Sequence, residues 1–322
     1  MFSTFSTAQS KFNVMTKPDT SQYYYFGGGG GISYKSKNLI NYITINTNLT
    51  NCLSIENNGN IIIAVGQGAL YGIRLSTNKG ISWSPQTTPV SLAGLSIKFN
   101  QNIFLFGMYF NTTSAVLLKS TDNNGTTPYT AIGATGFNEI ECIDWNYTYD
   151  YWLVGTRSGM YRSNNANPTS TDWTSVYGGL VNGIKWNGSI WIGLKNAATN
   201  PVIKSVDGNV WVAGGNVPLS TNLDIGGSYA EWRFDYANGR WFICGKAATN
   251  PIYYSIDNGI SWTNIITGSL VNTCYSIKYI TQTSTWVCCG NTVIKSIDNG
   301  NTWSLCFPST PINNTVFCVK YI

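Results

Sequence analysis

Three patterns of hydrophobic and polar positions recur along the chain in a fixed order. The first is a triplet of apolar, charged and aromatic residues: Ile97-Lys98-Phe99, Ile143-Asp144-Trp145, Ile184-Lys185-Trp186, Phe234-Asp235-Tyr236, Ile277-Lys278-Tyr279 and Val319-Lys320-Tyr321. Ile55-Glu56-Asn57 is a weaker member. Such alternation predicts a strand with one buried face. The second pattern is an unbroken apolar run that ends in Gly66, Gly107, Gly155, Gly193, Gly245 or Gly290, with Tyr23 to Gly28 as the seventh copy. A strand apolar at nearly every position is buried on both faces. A glycine at its end permits close backbone approach or a turn with positive φ.

The third pattern is a polar turn. Its best copies are KSVDGNVW (Lys204 to Trp211), YSIDNGISW (Tyr254 to Trp262) and KSIDNGNTW (Lys295 to Trp303), with LSTNKGISW (Leu75 to Trp83) as a clear variant. Looser copies start at Lys119, Arg162 and Tyr34. The leading serines are Ser36, Ser76, Ser120, Ser163, Ser205, Ser255 and Ser296, at gaps of 40, 44, 43, 42, 50 and 41 residues. Seven units at that period predict a seven-bladed β-propeller of four-stranded antiparallel blades. Within a turn, Asp122, Asp207, Asp257 and Asp298, or Asn78, can accept hydrogen bonds from nearby backbone N–H groups. Gly80, Gly208, Gly259 and Gly300 supply strained conformations, and Trp83, Trp211, Trp262 and Trp303 supply apolar plates.

The order of the patterns also predicts how the ring closes. Six units are complete between Cys52 and Trp303. Residues 22–48 lack a leading triplet strand, and residues 316–322 are such a strand with nothing after it. The last strand is therefore expected to join the first segment and complete the seventh blade, which removes free sheet edges. Residues 21–322 are read as one propeller, and residues 1–20 as an N-terminal arm. An open solenoid is the main rival and a two-sheet sandwich a weaker one.

Composition sharpens this picture. Only 10% of the 322 residues are charged, while Gly, Tyr and Trp number 33, 20 and 12, a profile of short strands and tight turns rather than helices. The net charge of +5 comes from 19 basic residues with no cluster, so no nucleic-acid surface is expected. No apolar run reaches membrane-spanning length, and the N-terminus lacks the pattern of a secretory signal.

The turns resemble the Asp-box, or bacterial-neuraminidase (BNR), repeat, over about residues 22 to 322. That resemblance implies turns between the third and fourth strands of each blade, away from the central channel. The family contains sialidases, other glycoside hydrolases, photosystem assembly factors and non-enzymatic binding propellers, so it implies a scaffold and not an activity.

Candidate chemistry is sparse. Sialidases use an arginine triad, and this chain has five arginines: Arg74, Arg157, Arg162, Arg233 and Arg240. The Arg-Ile-Pro segment that opens sialidase domains is absent. Glu231, Arg233, Asp235 and Arg240 form the densest charged cluster and are the weak candidate for a polar site. Glycosidases need two facing carboxylates, and the first-strand candidates are Glu56, Glu141, Asp144 and Asp235. Lys98, Lys185, Lys278 and Lys320 take the comparable place in other units, which reads as a channel lining rather than an acid pair. The chain has no histidine, which removes histidine triads and histidine metal sites. Gly27 to Gly31 lacks the lysine and spacing of a phosphate loop. The eight cysteines contain no C-x-x-C pair and read as small core residues, reduced rather than disulfide-bonded.

The sequence therefore predicts no catalytic residue, metal or cofactor. Its first functional reading is a structural or interaction propeller with protein partners. The Asn-, Ile-, Thr-, Tyr- and Lys-rich composition associates it with particles of large DNA viruses or phages. A glycan-binding module and a glycoside hydrolase are the alternatives.

Overall fold

A computed structural model of the protein describes residues 22–68, 72–88, 93–111, 114–120, 122, 124–125, 128–133, 136–195, 201–217, 234–245, 250–309, 312 and 314–322. Residues 1–20, read as an arm, lie outside that set. Among the described residues, the chain forms seven four-stranded antiparallel sheets arranged as the blades of a propeller. Each blade is named here by its innermost strand: I (Asn51–Asn57), II (Ala93–Phe99), III (Ile140–Asn146), IV (Val181–Trp186), V (Phe234–Ala237), VI (Cys274–Ile280) and VII (Val316–Tyr321). Blade VII is composite. Its inner strand comes from the C-terminus and pairs with Tyr24–Gly28, in the register Tyr24↔Tyr321, Tyr25↔Lys320 and Phe26↔Val319. The expected closure is the observed one.

Seven apolar cores fill the seven junctions between blades, and they explain the unbroken apolar runs. On the second strand of blade VI, Trp286 and Cys288 enter the core shared with blade V. Val287 and Cys289 enter the core shared with blade VII. The same division separates Ile62 and Ala64 from Ile63 and Val65 in blade I. Successive side chains point to opposite faces of a strand, so a strand flanked by two cores has no solvent face. Trp152, Trp191, Trp241 and Trp286 are all fully buried on these second strands.

Gly66, Gly107, Gly155 and Gly290, which end four of these runs, lie opposite a bulge. In blade III the register shifts between Ile140 and Cys142, so Glu141 is an extra residue on the inner strand. Gly155 lies opposite Cys142, and a Cβ there would come within 2.5 Å of the Cys142 sulfur and 2.7 Å of the Val181 carbonyl oxygen of blade IV. The glycine serves close approach, not a positive φ.

Candidate functional site

The charged residue of each triplet reaches the central channel. Glu56, Lys98, Asp144, Lys185, Asp235, Lys278 and Lys320, one from each blade, line a cavity of about 240 Å³. The pleat puts their apolar neighbours Ile55, Ile97, Ile143, Ile184, Phe234, Ile277 and Val319 into the blade junctions. Glu56, a weaker member by sequence, is a full member of this ring.

The carboxylates are bound across blade borders. Asp144 lies 2.6 Å from Lys98 Nζ of blade II and accepts the Trp186 N–H of blade IV at 2.8 Å. Asp235 lies 3.1 Å from Lys185 of blade IV and 3.9 Å from Lys278 of blade VI, and accepts the Tyr279 N–H at 3.0 Å. Glu56 lies 2.5 Å from Lys320 of blade VII. Burial would raise the Asp144 and Asp235 carboxyls. The facing lysines outweigh it, so both fall below the ordinary value, Asp235 to about 2. A glycosidase acid must hold its proton near neutral pH, and these two groups are ionised there.

Glu141 belongs elsewhere. The bulge turns it out of the Asp144 register, toward the opposite end of the channel. Equivalent bulges project Leu53, Leu95, Asn182, Tyr275 and Phe317. Leu53, Leu95 and Phe317 pack there with Tyr109 and Tyr275 in a separate apolar cluster. Glu141 is 3% exposed, and its Oε2 has no hydrogen-bond partner. Burial, then the neighbouring Glu139 charge, push its carboxyl up to about 8, against a smaller opposing pull from Arg157. Sequence placed Glu141 with the channel acids because a bulge cannot be read from residue spacing.

The serine-led turns join the third and fourth strands. In an up-and-down blade they share a face with the hairpins that follow the inner strands, called the turn face here. Ser255 Oγ donates to Asp257 Oδ1 (2.7 Å) and accepts the Gly259 N–H (2.9 Å), while Asp257 Oδ1 accepts the Ser261 N–H (2.9 Å). Ser296, Asp298, Gly300 and Thr302 repeat this arrangement. Ser76 Oγ accepts the Gly80 N–H, and Asn78 Oδ1 accepts the Ser82 N–H. The turn led by Ser205 is one residue tighter, with the Gly208 N–H on Ser205 and the Val210 N–H on Asp207. Ser120 instead donates to the Asp122 backbone oxygen. Trp83 and Trp262 are buried, whereas Trp211 and Trp303 are half-buried and donate to the Gly208 and Gly300 carbonyls.

Glu231 and Arg233 lie outside the described residues. Asp235 and Arg240 reach different partners: Asp235 faces the channel, while Arg240 donates to the Asn299 carbonyl and Asn301 Oδ1 on the turn of blade VI. Arg162 lies over the Tyr151 ring, 3.8 Å from its centroid.

All eight cysteines are buried, and none is in a disulfide. Cys244, Cys274 and Cys288 converge in the core between blades V and VI, their sulfurs within 4.8 Å of one another. As a donor set, three thiolates suit soft or borderline metals such as Cu(I) or Zn²⁺. Burial raises the Cys274 and Cys288 thiols well above their ordinary value, which keeps them protonated. The sequence did not single out this trio, because adjacent strands rather than spacing bring it together.

No protein family matches the chain, and no curated protein resembles it. Its shape is that of known propellers. It is similar to YCF48 bound to D1 peptide, with a TM-score of 0.60 at 15% identity over 82% of each chain. A putative 6-phosphogluconolactonase from Bacteroides fragilis superposes with a TM-score of 0.63 at 12% identity, over 95% of this chain and 100% of that one. Sqt1 of Saccharomyces cerevisiae gives 0.61 at 10% identity, over 94% and 85%. At such identities the likeness shows the fold. Among the described residues, no helix is long and apolar enough to cross a membrane.

Proposed function

We propose that the protein is a non-enzymatic interaction propeller that binds a protein partner on its turn face. The observation that carries this reading is a run of exposed aliphatic side chains on three successive turns. Val206 and Val210 of blade IV, Ile256 and Ile260 of blade V, and Ile297 of blade VI are each at least 60% exposed. The turns hold these side chains outward by the serine and aspartate hydrogen bonds, so they are presented on a rigid frame. Repeated apolar exposure on neighbouring elements marks an interaction surface. The ionised, lysine-bound channel acids support binding over acid–base chemistry. The likeness to a propeller that holds a D1 peptide agrees with a protein partner.

The serine–aspartate–glycine bonding supports assigning the turns to the Asp-box type. The Asn-, Ile-, Thr-, Tyr- and Lys-rich composition is what supports a large DNA virus or phage particle as the setting. Cross-linking mass spectrometry in the native assembly tests the whole. Cross-links from turn-face residues such as Lys204 and Lys295 to one other protein are expected. Their loss in Ile256→Asp with Ile297→Asp is expected too. Cross-links confined to other faces would overturn the turn-face reading.

A second reading has its own observation. Tyr147 and Tyr149, on the hairpin after the inner strand of blade III, are 61% and 66% exposed. Aromatic faces of this kind stack on sugars. A broad glycan array separates the readings: saturable binding lost in Tyr149→Ala favours a glycan, and an empty array with folded protein removes it.

A further inference from the structure

Alternation of sign cannot close around a ring of seven, because alternation needs an even number of positions. One pair of like-charged neighbours must remain. Here that pair is Lys278 and Lys320, on blades VI and VII, and the ring holds four lysines against three carboxylates. Elsewhere each lysine meets the carboxylate of the next blade: Lys98 with Asp144 at 2.6 Å, Lys185 with Asp235 at 3.1 Å, Lys320 with Glu56 at 2.5 Å. Lys278 is followed by a lysine. It turns back to Asp235 at 3.9 Å, a carboxylate that Lys185 already holds.

The cavity is built up at this seam. Beyond the ring its wall takes Tyr279, Ile280, Thr281 and Gln282 from blade VI and Val319 and Tyr321 from blade VII, against Ile143 and Ile184 from blades III and IV. Thr281 and Gln282 follow the inner strand in a single 3-10 turn on the turn face. The surplus positive charge therefore faces a concave space whose walls are the edges of apolar blades. Such clefts focus the field and attract counter-ions. The Thr281 hydroxyl and Gln282 amide line the same cavity as the lysines and can add neutral hydrogen bonds to an anion there, and charge-assisted bonds from the lysines are the strong ones.

We infer that the seam between blades VI and VII is a binding site for a single carboxylate, held between Lys278 and Lys320 with Thr281 and Gln282 as neutral partners. A monoanion fits better than a phosphate dianion, since the ring's surplus is one charge and Asp235 and Glu56 flank the site. The carboxylate comes either from an acidic side chain of a protein partner or from a small free acid. The inference deepens the interaction reading by naming the group that a partner presents, and rests on that reading only for the source.

Calorimetric titration of the full-length protein at low ionic strength tests it, with two probes that each carry one carboxylate. Butyrate stands for a free acid, and the blocked tripeptide acetyl-Gly-Glu-Gly-amide for a protein side chain. One-to-one binding of at least one probe is expected, weakening as salt is added. Binding of the tripeptide alone assigns the carboxylate to a protein segment, and binding of butyrate as well assigns it to a free acid. Lys278→Gln should weaken the binding at least tenfold, while Lys278→Arg and the exposed control Lys37→Gln should retain it. Lys278→Gln leaves Asp235 paired with Lys185, so it should still fold and show a single cooperative melting transition. Binding of neither probe, or equal binding by a folded Lys278→Gln, overturns the site. Butyrate reads the site with no partner protein present, so failure here leaves the turn-face reading standing.

Discussion

Tyr24 and Tyr321 stand edge to face, ring centroids 4.7 Å apart, on paired strands taken from opposite ends of the chain. Around them Phe26, Val316 and Val319 complete the core between blades VI and VII. Cys318 enters the core on the other side, with Cys52 and Ile55 of blade I. The C-terminal strand thus belongs to two junctions at once. Removing residues 315–322 would strip apolar contacts from both cores and leave the edge of Tyr24–Gly28 unpaired. Burying one large apolar side chain contributes about 1.5–3 kcal/mol, and a typical domain's whole stability is about 5–15 kcal/mol. The truncated chain is expected to lose its cooperative thermal transition in circular dichroism. Phe26→Ala should keep a transition but lower stability by about 3–5 kcal/mol. A truncated chain that melts like the parent would rule out closure through this strand.

Much of this was legible because periodicity reports which face of a strand is buried. The triplets put Lys98, Asp144 and Lys278 on one face of seven equivalent strands, and the channel follows from that. The complementary end segments announced the closure. What periodicity hid was any departure from it. The bulge at Glu141 inserts one residue, so the side chain leaves the series that its spacing suggests. Cys244, Cys274 and Cys288 meet through the packing of blade V on blade VI. Asp235 and Arg240 are near in sequence, yet a hairpin sends one to the channel and the other to a neighbouring turn.

The turn glycines lock one blade to the next. Gly80 has φ +73°, and a Cβ there would come within 2.7 Å of Tyr25 in blade VII. Tyr25 also donates its hydroxyl to the Lys79 carbonyl at 2.7 Å. Gly80→Ala should therefore suffer both backbone strain and a clash. Gly59, with φ +94° and open space around it, supplies the comparison. Gly59→Ala should cost about 1 kcal/mol or somewhat more from strain alone, and Gly80→Ala clearly more. Tyr25→Phe should lose about 0.5–1.5 kcal/mol for its hydrogen bond. Urea midpoints of the three variants check the order, and equal losses in the two glycine variants would remove the packing contribution.

The cysteines should be silent until the chain unfolds. All eight are buried, and burial raises the Cys289 and Cys318 thiols well above their ordinary value and Cys306 to about 12. The thiolate is the reactive form, so these thiols are both protonated and shielded. Ellman's reagent at pH 8 should label none rapidly in the native protein and all eight in guanidinium without reductant. Fewer than eight in guanidinium would reveal a disulfide, for which Cys274 and Cys288, their sulfurs 2.8 Å apart, are a candidate pair.

Glu141 gives stability an alkaline slope. Its carboxyl ordinarily loses its proton near 4.5, but in the folded protein it holds the proton to about 8. Below pH 4.5 both folded and unfolded chains carry the proton, and the group adds no pH dependence. Between 4.5 and 8 the unfolded chain releases it first, so the folded state binds more protons and loses stability as pH rises. At one pKa unit per 1.36 kcal/mol the accumulated loss reaches at most about 5 kcal/mol. Glu141→Gln keeps the shape and cannot ionise. It should melt close to the parent at pH 4.5 and well above it at pH 8.5. Asp235 slopes the other way and at lower pH: with its folded value near 2, its contribution is complete above 3.8 and is lost as pH falls through 2. The two slopes therefore do not overlap. Parallel melting curves of parent and Glu141→Gln from pH 4.5 to 8.5 would show that Glu141 is solvated rather than buried.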